Sequence, residues 1–224
     1  MKTKNLLALL VAALLWWPAY AQQKFPFENE IKAFQHQDSL NFPKPNGILF
    51  IGSSSIRKWT DLEKRFQSYP IIKRGIGGSK LEDLVKYYTP YVVFPYKPSK
   101  IFIYGGDNDL AKGASAQSVA DSFIMLWGMI SKELPQTDVY FLSLKLSPSR
   151  AKYYEEVKQT NKLISAFLAG KPKGHLVDVY TPILKQPAIL PDSSLFVKDM
   201  LHLNSKGYDR WVNAIRPYIE NSKK

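Results

Sequence analysis

Only three histidines stand in this chain, so proton transfer near neutral pH has few places to happen. His36 lies in a polar segment ahead of the first apolar run, and His175 opens the last one. His202 lies beyond that run, three residues after Asp199, where neither strand nor helix pattern is visible. A carboxylate at that spacing can take the proton on one imidazole nitrogen and leave the other to act as a base. A loop Asp and His this close also occur as plain surface decoration. The group such a base would activate is a hydroxyl, and Gly52-Ser53-Ser54-Ser55 directly follows the apolar run 48–51. A serine on a tight strand-to-helix turn projects its hydroxyl at the edge of a sheet, with backbone N–H groups beside it for a developing oxyanion. The same serines could instead cap the helix. Spacing does not choose among the three.

Two further loops carry suitable groups. Gly75-Ile76-Gly77-Gly78-Ser79 follows the second apolar run, and Gly105-Gly106-Asp107-Asn108-Asp109 the third. Glycines let backbone approach a ligand closely, and an Asn amide can donate to an oxyanion. Either loop alone could be an ordinary turn. Four such loops, each after a strand or before the final helix, form a pattern that turns alone do not explain.

The elements that must position these loops are legible as patterns. Five continuous apolar runs, 48–51, 70–73, 100–104, 138–143 and 175–179, suit strands covered on both faces. Helical periodicity marks 116–134, 153–169 and 204–219, the last with Asn204 or Ser205 available as a cap. Alternating strands and helices predict an α/β fold, a mostly parallel sheet between helical layers, with ligands bound beyond the carboxyl ends of the strands. The segment 22–46 reads as a polar lead-in with one short helix and Phe25, Phe27, Ile31 and Phe34 as its apolar contacts. Residues 47–224 read as a single domain.

Met1 to Lys4 is basic, 6–17 is apolar, and Ala19-Tyr20-Ala21 closes the stretch, the layout of a secretory signal peptide over 1–21 cleaved after Ala21. The apolar run is short for a membrane span, although an uncleaved anchor is the alternative. The expectation is a periplasmic or secreted protein with no stable membrane span after cleavage. Without cysteine there are no disulfides and no thiolate metal sites, and three scattered histidines offer no zinc cluster. The net charge is +12, or +10 once Lys2 and Lys4 leave with the leader. Its basic residues are scattered rather than gathered in a stripe, so a soluble basic surface is expected and nucleic acid is not an expected partner.

Taken together, these blocks resemble those of the SGNH (GDSL) hydrolase family, over 47–220. The family's Gly-Asp-Ser block is similar to Gly52-Ser53-Ser54, its glycine block to Gly77-Gly78, its Gly-x-Asn-Asp block to Gly106-Asp107-Asn108-Asp109, and its Asp-x-x-His block to Asp199 through His202. Asp199-Met200-Leu201-His202-Leu203-Asn204 through Gly207-Tyr208 resembles the family's entry into the last helix. The resemblance implies a three-layer α/β/α sandwich around a parallel five-stranded, flavodoxin-like sheet. It implies Ser54 as nucleophile, His202 as base and Asp199 as its orienting partner. The oxyanion hole it implies is the Ser54 N–H, the Gly78 N–H and the Asn108 side chain, with no cofactor or metal.

Two positions depart from the family pattern. Ser53 replaces the usual Asp before the nucleophile, so neutral hydroxyls are expected to hold the local loop network, and Lys73 replaces the Asn that often opens the glycine block. The activity implied is hydrolysis of acyl esters, short-chain or acetyl, on small molecules or glycans. Trp59, Tyr87 and Tyr88 are read as exposed aromatics compatible with a sugar, although aromatics placed like Tyr87 and Tyr88 more often serve helix packing. The alternative is a catalytically impaired module of the same fold that binds a carbohydrate or ester ligand without turnover. Oligomeric state is not legible in the sequence.

Overall fold

The structure is a computed structural model that describes residues 26–187 and 189–220. The leader read over 1–21, its cleavage point and Phe25 lie outside the described residues. Five strands form one parallel sheet: β1 Ile48–Gly52, β2 Ile71–Gly75, β3 Lys100–Tyr104, β4 Asp138–Leu142 and β5 Gly174–Val177, in the order β2-β1-β3-β4-β5. β1 and β3 are buried along their whole length, as their unbroken apolar runs require. The start of β2 shifts from residue 70 to Ile71 and its end runs on to Gly75, because Arg74 and Gly75 keep pairing with Ile51 and Gly52 despite their polarity.

Helices cover both faces. The longest are α1 Glu28–Leu40, α7 Ala116–Glu133, α8 Tyr154–Leu168 and α9 Ser205–Glu220, with short ones at α2 Ser54–Arg57, α3 Leu62–Arg65, α4 Leu81–Asp83, α5 Thr89–Val92 and α6 Asp107–Ala111. On one face an aromatic ladder crosses four strands at matched register: Phe50 stacks on Phe102 at 4.7 Å, Phe102 on Tyr140 at 4.6 Å, and Tyr140 on His175 at 4.6 Å. Trp211 and Tyr218 of α9 pack onto this face against Tyr104 and Tyr140. On the other, Phe123 of α7 packs on Phe141, and Phe167 of α8 closes on Phe123. Alternate strand residues point to opposite faces, which is why both layers find apolar partners on the same strands.

Between β2 and β3 the chain is broken into short turns, including a π-helical turn at Leu84–Tyr88 and a 3-10 turn at Phe94–Tyr96. Pro90 sits in the first turn of α5 and Pro95 in that of the 3-10 piece, and together they prevent one long helix. A two-stranded hairpin, β6 Leu184–Lys185 with β7 Leu190–Pro191, is too short for a sequence pattern and falls where only a proline-bearing loop is visible. The lead-in helix α1 is held on the edge strand by Arg74, whose guanidinium donates to Asp38 and, at 2.7 Å, to the Tyr96 hydroxyl. Ile31 is buried, and Phe27 and Phe34 pack beside it. Two of the aromatics read as exposed are not: Trp59 and Tyr88 are 0% and 2% exposed, and Tyr87 is half-buried. Trp59 stacks on Tyr208 at 4.8 Å, and the Tyr88 hydroxyl donates to the Arg74 carbonyl, so both serve the core.

Candidate active site

The strand order reverses direction at β1 and β3, and ligands in open α/β sheets bind in the crevice such a reversal opens at the carboxyl ends. The candidate residues follow those strands. β1 ends on Gly52, at φ +130°, where a Cβ would lie 1.8 Å from the Tyr104 carbonyl oxygen of β3, so only glycine fits. The turn is pinned by Ser53 N–H donating to Tyr104 O at 2.9 Å and Ile76 N–H donating to Gly52 O at 2.8 Å. Ser54 then opens α2.

The structure distinguishes the three serines. Ser54 Oγ–H donates to His202 Nε2 at 2.7 Å, while Ser53 and Ser55 are buried. Ser53 makes no side-chain cap for α2, so the capping alternative is not what is seen. The Ser53 hydroxyl meets no partner among the described residues. The hydroxyl that braces this corner is Ser79 Oγ, donating to Ile76 O at 3.0 Å and Gly52 O at 3.3 Å. Neutral hydroxyls hold the loop, as expected, but at Ser79 rather than Ser53.

His202 lies 148 residues from Ser54 along the chain, and packing carries it there. The Tyr208 hydroxyl of α9 donates to Ser55 O at 2.8 Å, and Trp59, Tyr208 and Trp211 interlock between α2 and α9. Asn204 caps α9 through Gly207 N–H at 3.1 Å, and its amide donates to Ser194 O at 2.8 Å. Within the loop, Asp199 Oδ1 accepts from Leu201 N–H and His202 N–H, both at 2.9 Å, and Met200 between them takes a left-handed φ of 55°. Asp199 Oδ2 lies 2.6 Å from His202 Nδ1. A carboxylate only accepts, so Nδ1 carries the proton and Nε2 presents its lone pair to Ser54. Burial pushes the Asp199 carboxyl up, but the bonds from the His202 ring and the two backbone N–H groups outweigh it and hold the carboxyl well below the usual range.

The groups expected to face an oxyanion come from three loops, those after β1, β2 and β3. The N–H groups of Ser54 and Gly78 meet no protein acceptor among the described residues, and Gly78 takes φ +80° with open space where a side chain would stand. Asn108 Nδ2 donates one hydrogen to Ser79 O at 3.0 Å, tying the β3 loop to the glycine loop. The next residue, Asp109, accepts from Leu81 N–H at 3.1 Å through both oxygens, and burial pushes that carboxyl up.

Three residues near the site escaped sequence reasoning. Lys58 Nζ lies 3.8 Å from Asp199 Oδ2 and 3.3 Å from His202 Nδ1, a nitrogen whose proton is already given to Asp199. Lys145, wholly buried beneath the site, donates to the Tyr104 hydroxyl at 3.2 Å, and burial pushes its ammonium down. Arg150 reaches Asp107 O and Asn108 Oδ1 at 2.7 and 2.8 Å. The available signal was the expectation that loops after strands line the site, which applies to the loop after β4 that carries Lys145 and Arg150.

The chain is 24% identical over 180 residues to human platelet-activating factor acetylhydrolase IB subunit alpha1, covering 77% of this chain and 74% of the relative. A GDSL-like lipase from Bacteroides thetaiotaomicron superposes with a TM-score of 0.74 at 18% identity, over 86% of this chain and 98% of that one. A carbohydrate esterase family 3 protein from Talaromyces cellulolyticus superposes at 0.62 and 15%, over 78% and 96%. At these identities the structural likeness is one of fold. The profile of the GDSL-like Lipase/Acylhydrolase family matches residues 51–210, a span that contains Ser54, Gly78, Asn108, Asp199 and His202. With that match over most of its length, the chain belongs to the GDSL-like lipase/acylhydrolase family, hydrolases that act on esters.

Proposed function

We propose that the protein is an exported serine esterase that hydrolyses short acyl esters, acetyl esters first among them, with Ser54 as nucleophile, His202 as base and Asp199 as its orienting group. The observation that carries this reading is the unbroken line of short contacts, Ser54 Oγ to His202 Nε2 at 2.7 Å and His202 Nδ1 to Asp199 Oδ2 at 2.6 Å. Ser54 Oγ attacks the ester carbonyl while His202 Nε2 takes its proton. The tetrahedral oxyanion is received by the Ser54 N–H, the Gly78 N–H and the second amide hydrogen of Asn108. His202 then returns its proton to the leaving alcohol, and water, deprotonated by the same ring, cleaves the acyl-enzyme.

The short acyl group is supported by the human relative, which is named an acetylhydrolase. For the alcohol half, a glycan hydroxyl has one support, the neighbouring fold named a carbohydrate esterase; buried Trp59 and Tyr88 give it no sugar platform. Export rests on the three-part pattern of 1–21 and implies a mature N-terminus at Gln22, which mass spectrometry of the purified protein reads directly. The test of the chemistry is a fluorophosphonate probe. Covalent labelling of the native protein that is lost in Ser54→Ala is the expected result; a folded native protein that takes no label would favour a binding module instead.

A further inference from the structure

The loop after β4 lies outside the family blocks, and it touches both halves of the site. Arg150 sits in its 3-10 turn, Pro148–Tyr153, at a non-helical φ of −119°. Its guanidinium forks across the oxyanion loop: Nη1 donates to the Asp107 carbonyl at 2.7 Å and Nη2 to Asn108 Oδ1 at 2.8 Å. The same Nη1 lies 3.4 Å from Asp107 Oδ2. One residue earlier, Ser149 donates to the Met200 carbonyl through its N–H at 3.1 Å and its hydroxyl at 2.9 Å, and Met200 is the turn residue between Asp199 and His202. Residues 149 and 150 therefore grip the base loop with one hand and the oxyanion loop with the other.

An Asn amide donates to an oxyanion only if its nitrogen, not its oxygen, faces the substrate. Flipped by 180°, it would present a partial negative charge to a developing negative charge. Two contacts set the orientation of Asn108: Nδ2 gives one hydrogen to Ser79 O, and Oδ1 takes a hydrogen from a cation. The second contact also polarises the amide, since drawing electron density toward Oδ1 makes the free N–H a better donor. A planar fork meets two acceptors at fixed spacing, which a lysine ammonium does not.

We propose that Arg150 is a positioning residue for the oxyanion hole, fixing and polarising the Asn108 amide; the inference rests on the reading of Asn108 as an oxyanion donor. Arg150 does not touch substrate. Its effect passes through Asn108, and that sets the test. Hydrolysis of p-nitrophenyl acetate is measured for Arg150→Ala, Arg150→Lys, Asn108→Ala and the double variant Arg150→Ala/Asn108→Ala, with thermal melts on each. Asn108→Ala is expected to lower kcat by roughly 100-fold or more, the loss typical of one oxyanion donor. Arg150→Ala is expected to lower kcat by roughly 10- to 50-fold with KM changed by less than about twofold, and Arg150→Lys to recover only part of it. In the double variant the two losses should merge, leaving kcat within about twofold of Asn108→Ala alone. Wild-type kcat in Arg150→Ala, or losses that multiply in the double variant, would overturn the proposal, the second by showing a merely structural role. A readout independent of turnover is the Asn108 side-chain amide in a ¹⁵N NMR spectrum, whose two proton signals should shift and broaden in Arg150→Ala; signals that stay in place would also overturn it. If native protein neither turns over ester nor takes the fluorophosphonate label, the esterase reading fails, while the amide signals still decide what Arg150 does.

Discussion

Two histidine–aspartate pairs stand at opposite ends of one sheet. At the carboxyl edge, His202 Nδ1 is 2.6 Å from Asp199, whose other oxygen is gripped by two backbone N–H groups, and Nε2 faces Ser54 at 2.7 Å. At the amino edge, His175 Nε2 is 3.4 Å from Asp138 Oδ1, and Lys173 approaches the second oxygen at 3.5 Å. Residue types are the same and separations along the chain are not: three residues in a tight turn for one pair, 37 across a strand pairing for the other. The His202 ring is held by a preorganised carboxylate and is nearly sealed, with 11% of its side chain exposed. His175 is held by a face instead, stacked on Tyr140 as the last rung of the aromatic ladder. A histidine becomes a base through what orients its second nitrogen and what hydroxyl meets its first, and only one of these two has both.

The comparison breaks most visibly at His202. His202→Ala is expected to remove ester turnover by roughly four orders of magnitude or more, leaving what binding and the oxyanion donors supply. Hydrolysis of p-nitrophenyl acetate by protein shown to be folded by circular dichroism measures it. Near wild-type turnover would move the base elsewhere, and the chain offers only His36, exposed on α1, and His175.

Asp199→Ala comes next, with an expected loss of roughly two to four orders of magnitude, because a ring without its carboxylate can place its proton on the nitrogen that must accept. Combined with His202→Ala, it should add almost nothing, since an absent base cannot be misoriented. Losses that multiply would mean that Asp199 acts on Ser54 by some route other than the ring.

A smaller effect concerns acid stability. The Asp199 carboxyl is held below its ordinary range in the folded chain, so the unfolded chain binds its proton first as pH falls. The stability it contributes is complete above the unfolded pKa of about 3.9 and is lost as pH drops through the lower folded value. Asp199→Asn should therefore show a shallower loss of unfolding free energy below about pH 4 than the native protein, in urea titrations taken at a series of pH values. With 42% of the side chain exposed, the difference in slope is expected to be modest. Parallel curves would mean that the His202 ring and the two backbone N–H groups do not favour the charged carboxylate in the folded chain.

Much of this arrangement was legible beforehand, for physical reasons that also mark where legibility ends. β1 and β3 are covered on both faces and so read as unbroken apolar runs, and Ser54 and Asn108 are found because they directly follow them. Asp199 and His202 are found because a turn of three residues suffices to join them. Choosing Ser54 over its neighbours needed the family resemblance; physically, its contact with His202 and the burial of Ser53 and Ser55 separate the three. Arg150 meets Asn108 across 42 residues through a loop of irregular backbone, a contact that no periodicity encodes. Trp59 and Tyr88 read as exposed yet are buried, because the short helices around them are too brief to show a buried face; Trp59 stacks on Tyr208 from the last helix, and Tyr88 bonds the Arg74 carbonyl 14 residues back, contacts that no helical period encodes.

The smallest expected effect is the sharpest control. His175→Ala removes an imidazole paired with an aspartate, as His202→Ala does, but from the end of the sheet away from Ser54. If position and second-nitrogen contacts make the base, turnover should stay within about twofold of native, because no step of the reaction passes through the amino edge of β5. Stability should fall instead. The ring ends a stack at 4.6 Å from Tyr140 and is about one-third exposed, so its removal should cost about 1 kcal/mol, or a Tm lower by roughly 2 to 4 °C in a domain of this size. His175→Phe separates the two contacts that remain possible: it keeps an aromatic face on Tyr140 and discards the approach to Asp138. Recovery of most of the lost Tm would identify stacking as what His175 contributes. Failure to recover, with Tm as low as in His175→Ala, would assign the contribution to the Asp138 contact. In either case a folded His175→Ala protein that lost ester turnover as completely as His202→Ala would end the distinction between the two pairs, and with it the assignment of the base.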